Sequence, residues 1–340
     1  MKTKLNNFLI MGCCLLALNS CHRDRYSINI SKIKAEIEIE RLEDDLFKPD
    51  PAALTDSVPS LIVKYGDFLQ YFSYIIKAGT ISDSAFALNL LNFSTDKLNT
   101  EVYGVVSEKY PDLKFLEADL SEAFRHYKWY FPDENVPAVY TCITGFNNSI
   151  ITADSVLGIC LDRYLGSDSE YYARLGIYGY LAAQMNSWNI VPDCMYAWGK
   201  SIWDFEHMKY PAANVITQVL HEGKLLYFKK CMIPSVSDTL LFGFTGDQMK
   251  FCRNNESRMW LYMIEEDLLF SSDQFIIRKL TGEAPFTSYF SNESPGRAAV
   301  WIGFRIIESY MALNKNVSLG EMMEITDVQA ILDGAKYRPQ

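Results

Sequence analysis

The sequence predicts an α+β fold, mostly helical, with a small mixed sheet. Three observations carry that expectation. Apolar and charged residues alternate from Ile33 to Glu40. Apolar residues recur at three- and four-residue intervals from about residue 53 to 130, and again after Asp193. Between those stretches lie two short runs rich in β-branched and apolar residues, separated by Asn147-Asn148-Ser149. A period of two lines one face of a strand and a period near 3.6 lines one stripe of a helix, so the order reads strand, helices, strands, helices.

Along the chain, Ile33, Ala35, Ile37 and Ile39 alternate with Lys34, Glu36, Glu38 and Glu40, the pattern of a half-buried strand. Lys48-Pro49-Asp50-Pro51 ends it, because proline has no N–H for a ladder. Leu61, Tyr65, Phe68, Leu69 and Phe72 then form a helical stripe, and Leu120, Phe124 and Tyr127 belong to a further amphipathic helix that stops at Phe131-Pro132. Val136 to Gly145 and Ser155 to Leu161 read as adjacent strands. Pro211 suits the first turn of the next long helix, Ile216, Val219, Leu220, Gly223, Leu226 and Tyr227 make its stripe, and Lys229-Lys230 suit its C-terminal end. Thr245 and Gln248 have capping-box spacing and open a helix that runs toward Phe270. Ser294-Pro295 opens another with Trp301, Phe304, Ile307 and Tyr310, and the pairs Ser318/Glu321 and Thr326/Gln329 cap two short final helices. No repeat, low-complexity linker or boundary divides residues 31–340, which are expected to form one domain.

The first residues read as an address. Lys2 and Lys4 precede an apolar run from Phe8 to Leu18, and Leu18-Asn19-Ser20-Cys21 closes it with small residues before a cysteine. This is the order of a bacterial lipoprotein signal, so residues 1–20 are expected to be removed, Cys21 lipidated, and residues 21–30 left as a tether. The partner so implied is a membrane, held through a lipid anchor. The run is well short of the ~20 residues a spanning helix needs. Without residues 1–20, which hold two lysines and no acid, 30 Lys+Arg stand against 42 Asp+Glu, a formal charge of −12. That balance offers no basic footprint for nucleic acid. With 21 Tyr and 20 Phe there is material for a large core. Five cysteines follow Cys21 without a C-x-x-C pair, and Cys142 with Cys160 is the pair placed on adjacent strands.

The stretch HEGKLLYF, residues 221–228, begins as a metalloprotease helix does. H-E-x-x-H sets two histidines one turn apart around a zinc ion, with the glutamate activating a water. Here the fifth position is Leu225, which shares a face with His221 and cannot ligate. Glu256 follows Glu222 by 34 residues, the separation at which a gluzincin-type peptidase places its third ligand, and His207 is a further candidate. Two readings stay open. In the first, no catalytic residue or cofactor is present: His221 is buried and bonded to an acid such as Glu256, and Glu222 is a solvated residue beside Lys224 and Lys229 or a vestigial base. In the second, His221, Glu256 and His207 hold zinc and Glu222 is the base of a working peptidase.

Other templates fail. Trp198-Gly199-Lys200-Ser201 ends like a P-loop but has Cys194 at the first glycine position, and neither G-x-S-x-G nor G-x-G-x-x-G occurs. The acid runs at Glu43-Asp44-Asp45 and Glu265-Glu266-Asp267 read as solvated faces in preference to flanks of a cation, and Tyr171, Tyr172, Tyr178 and Tyr180 as core-edge tyrosines in preference to a binding platform. Arg297, after Gly296 at a helix start, is a candidate anion contact or one half of a structural salt bridge.

Several blocks carry a family resemblance: the lipobox ending at Cys21, Val139-Tyr140-Thr141 through Gly145-Phe146-Asn147-Asn148, Leu161-Asp162-Arg163-Tyr164-Leu165-Gly166, Ile190-Val191-Pro192-Asp193-Cys194-Met195, Asn255-Glu256, and Glu293-Ser294-Pro295-Gly296-Arg297. Together they resemble the gliding-motility lipoprotein GldB family of Bacteroidetes, over nearly the whole chain. That family is in turn distantly similar to predicted zinc peptidases with H-E-x-x-H on the helix that holds residues 221–225. The resemblance implies a zincin-like, gluzincin-type scaffold whose metal site has decayed, in a protein of the gliding-motility or type IX secretion machinery that binds a peptide or protein partner. It also implies a sheet edge around Val139 and Ile159 that presents a peptide groove, with Tyr140, Phe146, Asn147 and Asn148 along it. In lipoproteins of this kind acidic residues after the cysteine favour surface display, and His22-Arg23-Asp24-Arg25 has no acidic run, so a periplasm-facing position is implied.

Overall fold

The protein is described by a computed structural model over residues 26–339. Cys21 and the signal segment lie outside the described residues. The architecture is mostly helical with one four-stranded mixed sheet, as the α+β expectation has it. Strands β1 (Ile39–Arg41), β2 (Ala138–Cys142), β3 (Ile150–Ala153) and β4 (Val156–Cys160) lie in the order β1-β2-β4-β3. β1 and β4 flank β2 in parallel, and β3 pairs with β4 antiparallel.

The first strand is shorter than its alternation predicts. Ala35 and Ile37 are buried in the expected alternation, yet only Ile39–Arg41 join the ladder. The amides before it are satisfied by a helix instead: Ile37 N–H donates to Ser121 Oγ at 2.9 Å and Ile39 N–H to Glu117 Oε1 at 3.1 Å. The expected sheet edge is corrected as well. β2 and β4 are interior strands, and the edges are β1 and β3. β3, only four residues long, was not legible between loop residues.

The sheet separates two cores by its period of two. Val139, Leu157 and Ile159 face the larger one, while Tyr140, Cys142, Val156 and Cys160 face the smaller. Helices α1 (Leu42–Phe47), α2 (Pro51–Ile75) and α3 (Phe86–Thr95) close the smaller core, with α2 capped by Asp50 and bent at Gly66. Glu43, at the start of α1, is buried rather than solvated, and accepts from Arg41 Nε at 2.8 Å and Thr141 Oγ1 at 3.0 Å. Helices α4 (Lys97–Lys109) and α5 (Lys114–Tyr130) lead into β2. After β4 come α6 (Glu170–Arg174), α7 (Gly179–Ala182), α8 (Ile190–Ile202), α9 (Val215–Met232), α10 (Asp238–Phe242), α11 (Gly246–Glu265), α12 (Gln274–Thr281), α13 (Ala299–Leu313), α14 (Leu319–Glu324) and α15 (Val328–Ala335).

Caps decide where these helices begin. The capping boxes at Thr245/Gln248 and Ser318/Glu321 are both present. α15 is capped by Asp327 rather than Thr326, its carboxylate accepting from Ala330 N–H. α9 starts four residues after Pro211, where the Asn214 side chain accepts from Thr217 N–H. α13 starts at Ala299, not Ser294, because the Ser294 hydroxyl closes a loop by accepting from Thr287 N–H at 3.1 Å.

α9 is the axis of the larger core. Its sequence suggests one apolar stripe, but every residue except Gln218 and Lys230 is buried. α13 crosses it at backbone contact: a Cβ on Gly223 would lie 2.3 Å from the Gly303 carbonyl carbon, and one on Gly303 would lie 1.9 Å from Val219 O. Two glycines at one crossing let the backbones meet without side chains between them. Gly303→Ala sets a helix-propensity gain of about 1 kcal/mol against overpacking of about 1–3 kcal/mol or more that no side-chain movement can relieve. The expected result in denaturant unfolding is a loss of stability for Gly303→Ala, while Gly104→Ala, with open space around the new Cβ, gains about 0.5–1 kcal/mol.

Candidate functional site

The four candidate ligand and base residues do not converge. His221 is 2% exposed, and its Nδ1 lies 3.0 Å from the Tyr210 hydroxyl, with the Phe205 and Tyr210 rings edge-on to it. Its Nε2 is buried with no hydrogen-bond partner. Burial pulls its pKa down to about 4, so the ring is neutral at physiological pH. Glu256 is committed elsewhere: Oε2 accepts from Trp301 Nε1 at 2.9 Å and Arg305 Nε at 3.3 Å, and Oε1 from Tyr337 OH at 2.8 Å. It therefore ties α11 and the C-terminal segment to α13, and it is not the partner of His221. His207 is exposed and sits 3.1 Å from Asp204. A catalytic zinc needs about three protein ligands around one point. Among the described residues no three His, Cys, Asp or Glu side chains are gathered in that way.

Glu222 belongs to a different constellation. It is 8% exposed, so the solvated reading is corrected. Its Oε2 accepts from Tyr196 OH at 2.7 Å and from Arg297 Nη2 at 3.1 Å. Arg297 Nη1 reaches Glu283 Oε1 at 2.9 Å, so the structural salt bridge is present and forked. The arginine holds this position from a left-handed backbone with φ 51°. Burial first, and then the Glu222 carboxylate, raise the Tyr196 pKa and keep the phenol a donor. Lys224, also buried, donates from Nζ to the carbonyls of Met323 and Ile325.

Lys229, two turns beyond Glu222, is 6% exposed and has no hydrogen-bond or ion-pair partner among the described residues. Its Nζ stands 5.7 Å from the Tyr196 ring centre, and the Arg297 guanidinium stands 5.8 Å from it. Burial lowers its pKa to about 8, opposed by the Asp193 carboxylate. Asp193 is raised to about 6, again by burial, and accepts from Tyr164 OH at 2.9 Å. A cavity of about 320 Å³ opens here, lined by Arg163, Asp193, Tyr196, Lys229, Glu283 and Arg297 among others. Arg297 was singled out from sequence. The sequence marks Lys229 as a helix-end charge and a neighbour of Glu222, while Arg163 and Asp193 lie inside family-like blocks with no role attached.

Of the proposed groove residues, Phe146, Asn147 and Asn148 lie in a turn after β2, and Tyr140 lies within β2 itself. Asp162 Oδ2 accepts from the N–H groups of Thr144 at 3.1 Å and Phe146 at 2.6 Å, and burial raises its pKa to about 6. Phe146 has φ 65° and packs against Tyr171 and Tyr172. Asn147 and Asn148 are exposed, and Asn147 Nδ2 donates to Thr144 O at 2.7 Å. Tyr140 is stacked on Phe68 at 4.5 Å, beneath α2. The turn serves the cavity, because Phe146 O and Ser149 Oγ accept from Arg163, each at 3.3 Å. Cys142 and Cys160 are register partners with sulfurs 3.7 Å apart, and all five described cysteines are free.

A family model described as gliding motility protein GldB matches residues 23–339. No curated protein and no solved structure matches significantly.

The His221 environment predicts a pH dependence. Its folded pKa of about 4 lies below the ordinary histidine value of 6.5, so between those pH values the unfolded chain binds a proton that the folded chain refuses. Stability is therefore fully present above the unfolded value and falls as pH drops through this window, by up to about 3 kcal/mol. The stability difference between the protein and His221→Leu should change by that amount from pH 7 to pH 4. Parallel pH profiles from denaturant titrations would contradict the assignment.

Proposed function

Because the chain belongs to the GldB family of gliding motility proteins, we propose that it is a lipid-anchored, periplasm-facing envelope protein of the gliding-motility and type IX secretion accessory class. In this reading it is a non-catalytic, zincin-like scaffold that binds a peptide or protein partner. One observation carries it. The carboxylates a zinc peptidase would use are already held by structural partners, Glu222 by Arg297 and Tyr196, and Glu256 by Trp301, Arg305 and Tyr337. Anchoring through Cys21 accords with the absence, among the described residues, of any helix long and apolar enough to cross a membrane. Descent from a peptidase is supported by the His221-Glu222 pair on a long helix, followed by Glu256 on the next long one.

A second reading, an active zinc peptidase with unusual ligands, is favoured by one atom: His221 Nε2 is buried and unclaimed. Complementation separates the two. In a deletion strain scored for colony spreading and type IX secretion, Glu222→Gln should restore function, because a scaffold needs the pairing and not a base. Cys21→Ala should fail. A Glu222→Gln chain that is present and folded but inactive, together with one zinc per chain that is lost in His221→Ala, would overturn the scaffold reading in favour of the peptidase.

A further inference from the structure

Among the described residues, Lys229 is the charged side chain of α9 with neither a hydrogen-bond nor an ion-pair partner. A buried ammonium is costly unless it is paired, and its charged neighbours on α9 are both satisfied, Glu222 by a guanidinium and a phenol, Lys224 by two carbonyls. Lys229 instead faces the cavity, with the π face of Tyr196 beside it and the Asp193 carboxylate near enough to act on its charge without bonding to it. On the same wall both terminal nitrogens of Arg297 are engaged by acids while its Nε is buried without an acceptor. Asp193, also lining the cavity, has one oxygen bonded to Tyr164. An unanswered cation and a half-engaged carboxylate thus face one space without touching each other.

The charges around that space decide what fits. Arg163, Lys229 and Arg297 are balanced by Asp193, Glu222 and Glu283. A phosphate dianion would bring surplus negative charge against Asp193 and Glu283. A group with a carboxylate for Lys229 and an N–H donor for Asp193 leaves the balance nearly undisturbed. Leu226, Leu241 and Phe242 supply an apolar wall for a small side chain, and the volume of about 320 Å³ is near the lower end of ligand pockets, roughly 300–1,000 Å³.

We propose that this cavity is a binding site for the main-chain carboxylate end of an amino acid or peptide, with the carboxylate on Lys229 and the adjoining N–H on Asp193. The peptide form rests on the partner-binding reading above; the amino-acid form does not. Charge-assisted pairing is among the stronger polar contacts, so removal of either partner should be readable.

The test is a thermal-shift and calorimetric titration of the full chain in detergent with three probes at millimolar concentration: alanine, the tripeptide Ala-Ala-Ala as free acid, and the same tripeptide as its C-terminal amide. The free acid, the amino acid or both should bind, and the amide should bind at least tenfold more weakly than the acid. Lys229→Met should abolish the response while leaving the ligand-free melting temperature unchanged or higher, since an unpaired buried charge is replaced by an apolar chain of similar length. Binding of alanine alone would support the site and count against the peptide-partner reading, and binding of the tripeptide acid alone would support both. Binding of the acid and the amide with equal affinity, or no response to any probe, would overturn the proposal and leave the partner reading to the complementation test. A Lys229→Met chain that melts lower or does not fold would also overturn it, because the ammonium would then be holding the fold rather than awaiting a ligand.

Discussion

Most of what the larger core does follows from the contact between the backbones of α9 and α13 at Gly223 and Gly303. With no Cβ at either residue the helices approach closely, and α9 is enclosed on nearly every side. A helix enclosed in that way cannot send its charged residues to water, so each has to be met inside the protein. Lys224 reaches two carbonyls at the C-terminal end of α14, and Glu222 reaches Tyr196 on α8 and Arg297 just ahead of α13. Only Lys229 is met by a cavity. Glu256, on α11, is engaged by the Trp301 and Arg305 side chains of α13 and not by His221.

This changes the meaning of the H-E pair. In a metalloprotease the histidine and glutamate of such a helix face one ion. Here the two residues are neighbours in sequence but look into different surroundings, His221 toward Phe205 and Tyr210, Glu222 toward a network of ions that borders a cavity. The residues most alike in sequence to a peptidase do not gather, and the cavity is lined by the same helix one and two turns further along, at Leu226 and Lys229.

Much of the fold was legible because it rests on local chemistry. The capping boxes at Thr245 and Ser318, the strands that became β2 and β4, and the stripe of Leu61, Tyr65, Phe68 and Phe72 are fixed by neighbours in sequence. What was not legible depends on tertiary contact. Lys and Glu on a helix read as surface, so the burial of α9 and of Glu43 could not be seen before their partners were in place. The strand around Ile37 is completed by side chains of α5, which no pairing rule anticipates. Arg297 was visible as a charge after Gly296, whereas Lys229 and Asp193 gain meaning only when α8 and α9 are brought together. The sheet edge was misplaced because β1, three residues long, covers β2.

The central claim is that α9, enclosed by α13, is the structural axis and not an exposed metal-binding helix. Native-state hydrogen exchange reads this residue by residue. Amides from Val219 to Leu226 and from Ile302 to Ile307 should exchange only through global unfolding, with free energies that fall together in denaturant. Exchange of the 219–226 amides through local opening, well ahead of those in α13, would contradict the account, because a helix poised to open could present His221 and Glu222 to an ion and a substrate.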